Sequence, residues 1–195
     1  MKTKLFFLVL LAFTTALFAF RLNISNIRVN GEKTTNEFKK QTIIRCSPDW
    51  NELKDWLEEV DIPPIPGAGI YKWKISTKSD SAQFYFNQGI NMYYSFHIIE
   101  AMASFKKAEK FDPACAMVYW AKALAYGPNI NDFGYRASPD ALAAVYKSKE
   151  LASSVTPYEK ELIEAQSFRY TADSADATRA TLNQAYVDKM KNVFS

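Results

Sequence analysis

Four times in this chain an oxygen-bearing side chain stands immediately before a proline: "SPDW" from Ser47, "DPAC" from Asp112, "SPDA" from Ser138 and "TPYE" from Thr156. The pattern starts helices. The side-chain oxygen accepts from an orphan N–H of the first turn, and proline at the first helical position has no N–H to lose. Thr156 with Glu159 adds a capping box. The punctuation predicts helix starts near Pro48, Pro113, Pro139 and Pro157. A further helix starts at Asp80 or Ser81 and runs to about Tyr94, and another covers His97 to Phe111. Six glycines and eight prolines in 195 residues are too few for a turn-rich all-β chain. After the first helix, "DIPPIPGAG" cannot continue it. "IYKWKIST" alternates but has no visible partner strand, so it reads as an extended segment. Helices joined by short links account for the rest, and the fold class is all-α.

One glycine, Gly89, interrupts the helix at 80–94. Glycine costs a helix interior about 1 kcal/mol relative to alanine. The cost is offset where another helix must approach closely, because small residues permit the short end of the interhelix distance. Gly89 and Ala101 are expected to touch across one helix pair. Phe105 and Ala108 share the Ala101 face, and Tyr85 and Met92 share the Gly89 face.

These positions carry a resemblance. With Ala82 as position one, Tyr85, Gly89, Ala101, Phe105, Ala108 and Pro113 fall in the register of the tetratricopeptide repeat, W-x2-L-G-x2-Y, then A-x3-F, then P. Gln88 and Met92 depart from that pattern. A second unit carries Trp120, Ala123 and Tyr126 and closes at Pro157. It is lengthened by the insertion 127–137, and a third, degenerate pair spans 157–194. Over residues 45–195 the phrase "FNQGINMYYSFHIIEAMASFKKAEKFDPACAMVYWAKALAYGPNIN" resembles a family of exported bacterial tetratricopeptide-repeat (TPR) proteins. The resemblance implies an α-solenoid of antiparallel helix pairs that binds a protein or peptide without catalysis. Members of the family usually continue further, so the chain is expected to be truncated at its C-terminus.

In such solenoids the first helix of each pair lines the inner groove. The register places Gln83, Phe86, Ile90 and Tyr93 there from one unit, and Met117, Trp120 and Leu124 from the next. Candidate partner-binding residues are Phe86, Ile90, Tyr93 and Trp120, with Asn129, Asn131 and Asp132 on the insertion at the rim. The repeat-packing set is Gly89, Ala101, Phe105, Ala108 and Pro113. A competing reading puts the apolar segment 48–76 (Trp50, Trp56, Leu57, Ile65, Ile70, Trp73) into that groove, because those side chains must bury somewhere. Binding would then fall to the rim.

Residues 1–20, with Lys2 and Lys4 before an apolar run, read as a signal peptide, or as a membrane anchor if left uncleaved. Residues 21–46 read as a tether, 47–79 as a helix and extended arm, and 80–195 as the helical repeats. An exported, periplasmic or extracellular, protein is implied. The net charge is +3, and both signs are interspersed, which excludes a nucleic-acid footprint. His97 is the single histidine, and the chain holds two cysteines, far short of a converging ligand set. No nucleophile elbow, P-loop or dinucleotide motif occurs. No catalytic, cofactor or metal residues are therefore expected, and no cofactor. Whether Cys46 and Cys115 pair is left open by the sequence. The alternative function is the N-terminal part of a larger exported enzyme or metal-binding protein whose reactive residues lie beyond residue 195.

Overall fold

The first helix begins where a carboxylate can cap it. In the computed structural model, which describes residues 48–129, 139–173 and 175–194, Asp49 Oδ1 accepts from the N–H groups of Asn51 (3.0 Å) and Glu52 (3.4 Å). The start expected near Pro48 thus moves to Trp50, because an anionic cap favours the positive end of the helix. All described residues belong to one unit, Arg45–Ser195.

The described residues form seven α-helices in order: α1 Trp50–Glu59, α2 Asp80–Tyr94, α3 Ile98–Phe111, α4 Ala116–Tyr126, α5 Pro139–Leu151, α6 Pro157–Ser167 and α7 Arg179–Val193. A 3-10 turn at Ala152–Ser154 closes α5. The described residues contain no strand, so the fold is all-α. The helix expected from Asp80 or Ser81 to about Tyr94 is α2, and two of the four proline starts fall where the sequence puts them. Pro139 opens α5, and Pro157 opens α6 behind the Thr156–Glu159 capping box. The start expected at Pro113 moves to Ala116. Asp112 is engaged elsewhere, because its carboxylate takes the Thr77 hydroxyl and the Ala114 N–H. Its carbonyl accepts from the Cys115 N–H at 3.2 Å, which bends the chain through a turn first.

From α2 to α7 each helix packs on the next. The main core is built from Phe86 and Ile90 of α2, Met102 and Phe105 of α3, Met117 and Val118 of α4, and Ile163 of α6. Leu57 of α1 and Ile62 and Ile75 of the arm join the same cluster. A smaller cluster gathers Ala123, Val145 and Tyr170. Lys106 and Lys107 of α3 pair with Glu58 and Asp61, tying the end of α1 to the α3 surface. No residue of α7 is buried, although Met190 and Val193 lean on the main core.

Ala101, Phe105 and Ala108 are fully buried and Pro113 is exposed. The close approach at Gly89 is real, but its partner is refined. The atoms nearest a β-carbon there belong to the Phe105 ring, not to Ala101. Among the described residues, no helix is long and apolar enough to cross a membrane. The signal segment 1–20, the tether 21–46, Cys46, Asn131 and Asp132 lie outside the described residues.

Candidate functional site

Four amide side chains recur along one side of α2: Gln83, Asn87, Gln88 and Asn91. Each carries a donor and an acceptor at its tip. That chemistry suits an extended backbone, which presents unpaired N–H and C=O groups. The arm between α1 and α2 supplies such a backbone. Gln88 accepts from the Ile65 N–H (2.9 Å) and donates to the Pro63 carbonyl (3.2 Å). Asn91 accepts from the Tyr71 N–H (3.1 Å) and donates to the Tyr71 carbonyl (2.8 Å). Asn87 accepts from the Trp73 N–H at 3.0 Å. Gln83 accepts from the Ile75 N–H (3.0 Å) and donates to the Trp73 carbonyl (2.8 Å).

Side chains then lock the arm. Trp73 sits edge-to-face on Phe86 and Trp120, with ring centroids 5.8 and 5.4 Å away. Ile75 is buried, whereas Lys72 and Lys74 point into solvent. At the arm's end, Glu159 is only 2 % exposed and receives the Ser76 N–H (2.7 Å), the Ser76 hydroxyl and the Thr156 N–H (2.8 Å). Burial pushes the Glu159 carboxyl up, but the hydrogen bonds from Ser76 and Thr156 outweigh it and hold the group below its ordinary value. Cys115 beside it is a free, buried thiol, raised to about 11 mainly by burial.

This arrangement takes Phe86, Ile90 and Trp120 out of the partner-binding set and follows the competing reading, in which the segment 48–76 covers the groove, although Trp56 and Ile70 of that segment stay exposed. Phe86 and Ile90 are fully buried and Trp120 is 5 % exposed. They are core side chains, and Phe86 and Trp120 lie against the arm's Trp73. The inner positions Met117 and Leu124 are buried as well, and Gln83 is spent on the arm. Tyr93 is half-buried at the rim, and burial pushes its phenol up to about 12. Asn129 is half-buried in the same region. His97 serves as the N-cap residue of α3, exposed, with its ring 4.0 Å from Glu100. Among the described residues no group of three or more His, Cys, Asp or Glu side chains could hold a metal ion.

The rim itself is rich in exposed aromatic and aliphatic surface. Ile70 is 96 % exposed and Tyr94 64 %, with Tyr71, Phe96 and Phe84 each near one half. Three adjoining clefts connect them. One of about 180 Å³ lies among Ile70, Tyr71 and Phe84, and one of about 400 Å³ between Tyr71 and Tyr94. The third, of about 260 Å³, is lined by Tyr93, Tyr94, Phe96, Ile98, Pro128, Asn129 and Arg169. Local backbone geometry creates this surface. Gly69 has φ 127°, and a β-carbon there would lie 2.6 Å from Asn91 Cγ, so only glycine lets the arm come down on Asn91 beside the outward-facing Ile70. Phe96 follows the end of α2 with φ 62°, a left-handed conformation normally left to glycine or asparagine. A bulky ring held there costs on the order of 1–3 kcal/mol, and such strain concentrates at functional sites.

Sequence reasoning placed Gln83 in the groove and Glu159 in a capping box, but missed the bonds of the α2 amide side chains and of Glu159 to the arm, and it missed Phe96 and Arg169. The signal for the first was present: Gln88 departs from the repeat pattern because its amide is needed for Ile65 and Pro63. Compared with known proteins, the chain matches no family model, no curated protein and no solved structure.

Proposed function

We propose that this chain is an exported, non-catalytic, TPR-like scaffold that binds a protein or peptide partner. The pairs α2–α3, α4–α5 and α6–α7 are its three repeat units, in keeping with helices that each pack on the next and with the register from Tyr85 to Pro113. Export rests on the Lys2–Lys4 and apolar pattern of residues 1–20.

The observation that carries the binding role is the strip Phe84–Ile70–Tyr71–Tyr94–Phe96, five large exposed apolar side chains joined by clefts. Contiguous exposed apolar surface marks interaction sites, and aromatic anchors dominate their energetics. The groove that repeats of this kind offer to a ligand is taken by residues 63–76, so the partner meets the arm's outer side. Photo-crosslinking tests this. A photoreactive residue at Ile70 should give one dominant protein adduct in producing cells, and Tyr94→Asp should abolish it. The same residue at exposed Glu161 should give none. Equal adducts from both positions, or an adduct indifferent to Tyr94→Asp, would contradict the assignment.

A further inference from the structure

The third cleft holds a charge with no carboxylate partner among the described residues. Two arginines lie among the described residues. Arg179 pairs with Asp176 at 2.8 Å. Arg169 pairs with no carboxylate among the described residues. One of its N–H groups, on Nη2, donates to the Pro128 carbonyl at 2.8 Å, and its guanidinium lies 5.0 Å from the centre of the Tyr186 ring. Arg169 Nε is buried with no hydrogen-bond partner among the described residues. One turn earlier, the Gln166 amide is 1 % exposed, and neither its oxygen nor its nitrogen has a partner there. The two residues are joined by the Arg169 N–H on the Gln166 carbonyl, 3.0 Å. Buried polar atoms are nearly always paired, and of these two residues Arg169 is the one that lines the cleft.

The rest of the lining is mostly apolar and aromatic, Tyr93, Tyr94, Phe96, Ile98 and Pro128, with Asn129 as its one further polar side chain. At about 260 Å³ the cleft is below the usual range for a drug-sized ligand, so it suits one ring or one short aliphatic body. Aromatic rings alone would also suit a quaternary ammonium. Arg169 in the lining excludes that class by charge. A phosphate dianion calls for several cationic donors when removed from water, and among the described residues the lining offers one guanidinium. A singly charged carboxylate matches a planar fork of donors.

We propose that this cleft binds a small monocarboxylic acid with an apolar, ring-sized body, its carboxylate on the Arg169 guanidinium and its body between Tyr94 and Phe96. The site shares Tyr94 and Phe96 with the partner strip and differs from it by Arg169, with Ile70, Tyr71 and Phe84 outside its lining.

Isothermal titration of the full chain with phenylacetate and with phenylacetamide tests the proposal. Phenylacetate should bind with one-to-one stoichiometry, about tenfold or more tighter than the amide, since the charge-assisted contact is lost in the amide. Arg169→Gln should remove that preference, Arg169→Lys should keep part of it, and Tyr94→Ala should weaken both ligands together. Ile70→Asp should leave phenylacetate binding unchanged, which separates this site from the partner strip. Should Arg169→Gln fail to fold, the acid-against-amide comparison and Tyr94→Ala decide. Equal affinity for acid and amide, no saturable binding, or tighter binding of phenyltrimethylammonium would overturn the proposal. A peptide ending in Gly-Gly-Phe that binds more tightly than phenylacetate would overturn the small-acid assignment.

Discussion

The Phe105 ring occupies the space that a β-carbon on Gly89 would fill, with ring atom Cδ1 2.5 Å from that position. Phe105 is fully buried, so the ring has no room to retreat. Gly89→Ala gains about 1 kcal/mol of helix propensity but overpacks the α2–α3 contact, which typically costs about 1–3 kcal/mol. The variant should be less stable than the parent in thermal or urea unfolding, and Gly89→Leu more so. A Gly89→Ala protein with a raised Tm would show that the two helices are not held this closely.

Glu159 couples α6 to the arm through Ser76. Its folded-state carboxyl is held below the ordinary value, so the sign follows directly. The stabilisation is complete above the unfolded-state value near 4.5 and is lost as pH falls through the lower folded value. Glu159→Gln removes the charge-assisted bonds to Ser76 and Thr156 and should cost about 1–3 kcal/mol at neutral pH. It should also flatten the acid limb of the stability profile. Unfolding curves from pH 7 to pH 3 check both, and an unchanged acid limb would contradict the coupling.

Asn91 accepts and donates on the same arm residue, Tyr71. Asn91→Ala should cost about 1 kcal/mol in global stability. Its larger effect should be local, with limited proteolysis cutting within 66–72 far faster than in the parent. Equal cleavage rates would mean that the arm is held by its apolar side chains alone.

How much of this was legible in the sequence differs by element. The Pro139 and Pro157 starts were readable because capping is local chemistry confined to a few residues. Pro48 misled because Asp49 takes the capping role, and Pro113 misled because Asp112, the expected cap, is diverted by Thr77, thirty-five residues away. The alternation of "IYKWKIST" gave an extended segment, yet its pairing was invisible. The partner is a row of helix side chains, for which strand patterning has no signature. Phe86, Ile90 and Trp120 look the same in sequence whether they line an open groove or lie beneath Trp73, since both surfaces are apolar. Arg169 carries no local signal, because its cleft is assembled from the ends of α2, α4 and α6.

Cys115 gives a simple probe of packing. The thiol is 2 % exposed and raised to about 11, so almost no thiolate exists at neutral pH. A maleimide or disulfide reagent should label it in the native state only at the rate of unfolding, and at once in denaturant. Rapid native labelling would show that the α3–α4 turn opens locally.

The central claim is that the arm occupies the α2 groove and leaves its outer side for a partner. Residue-resolved hydrogen exchange tests it most directly, through the amides of Ile65, Tyr71, Trp73 and Ile75, each bonded to an amide side chain of α2. These should exchange more slowly than the amides of α7, which has no buried residue. Exchange of the four at the rate of an unfolded chain would contradict the account and return the binding surface to Phe86, Ile90 and Trp120.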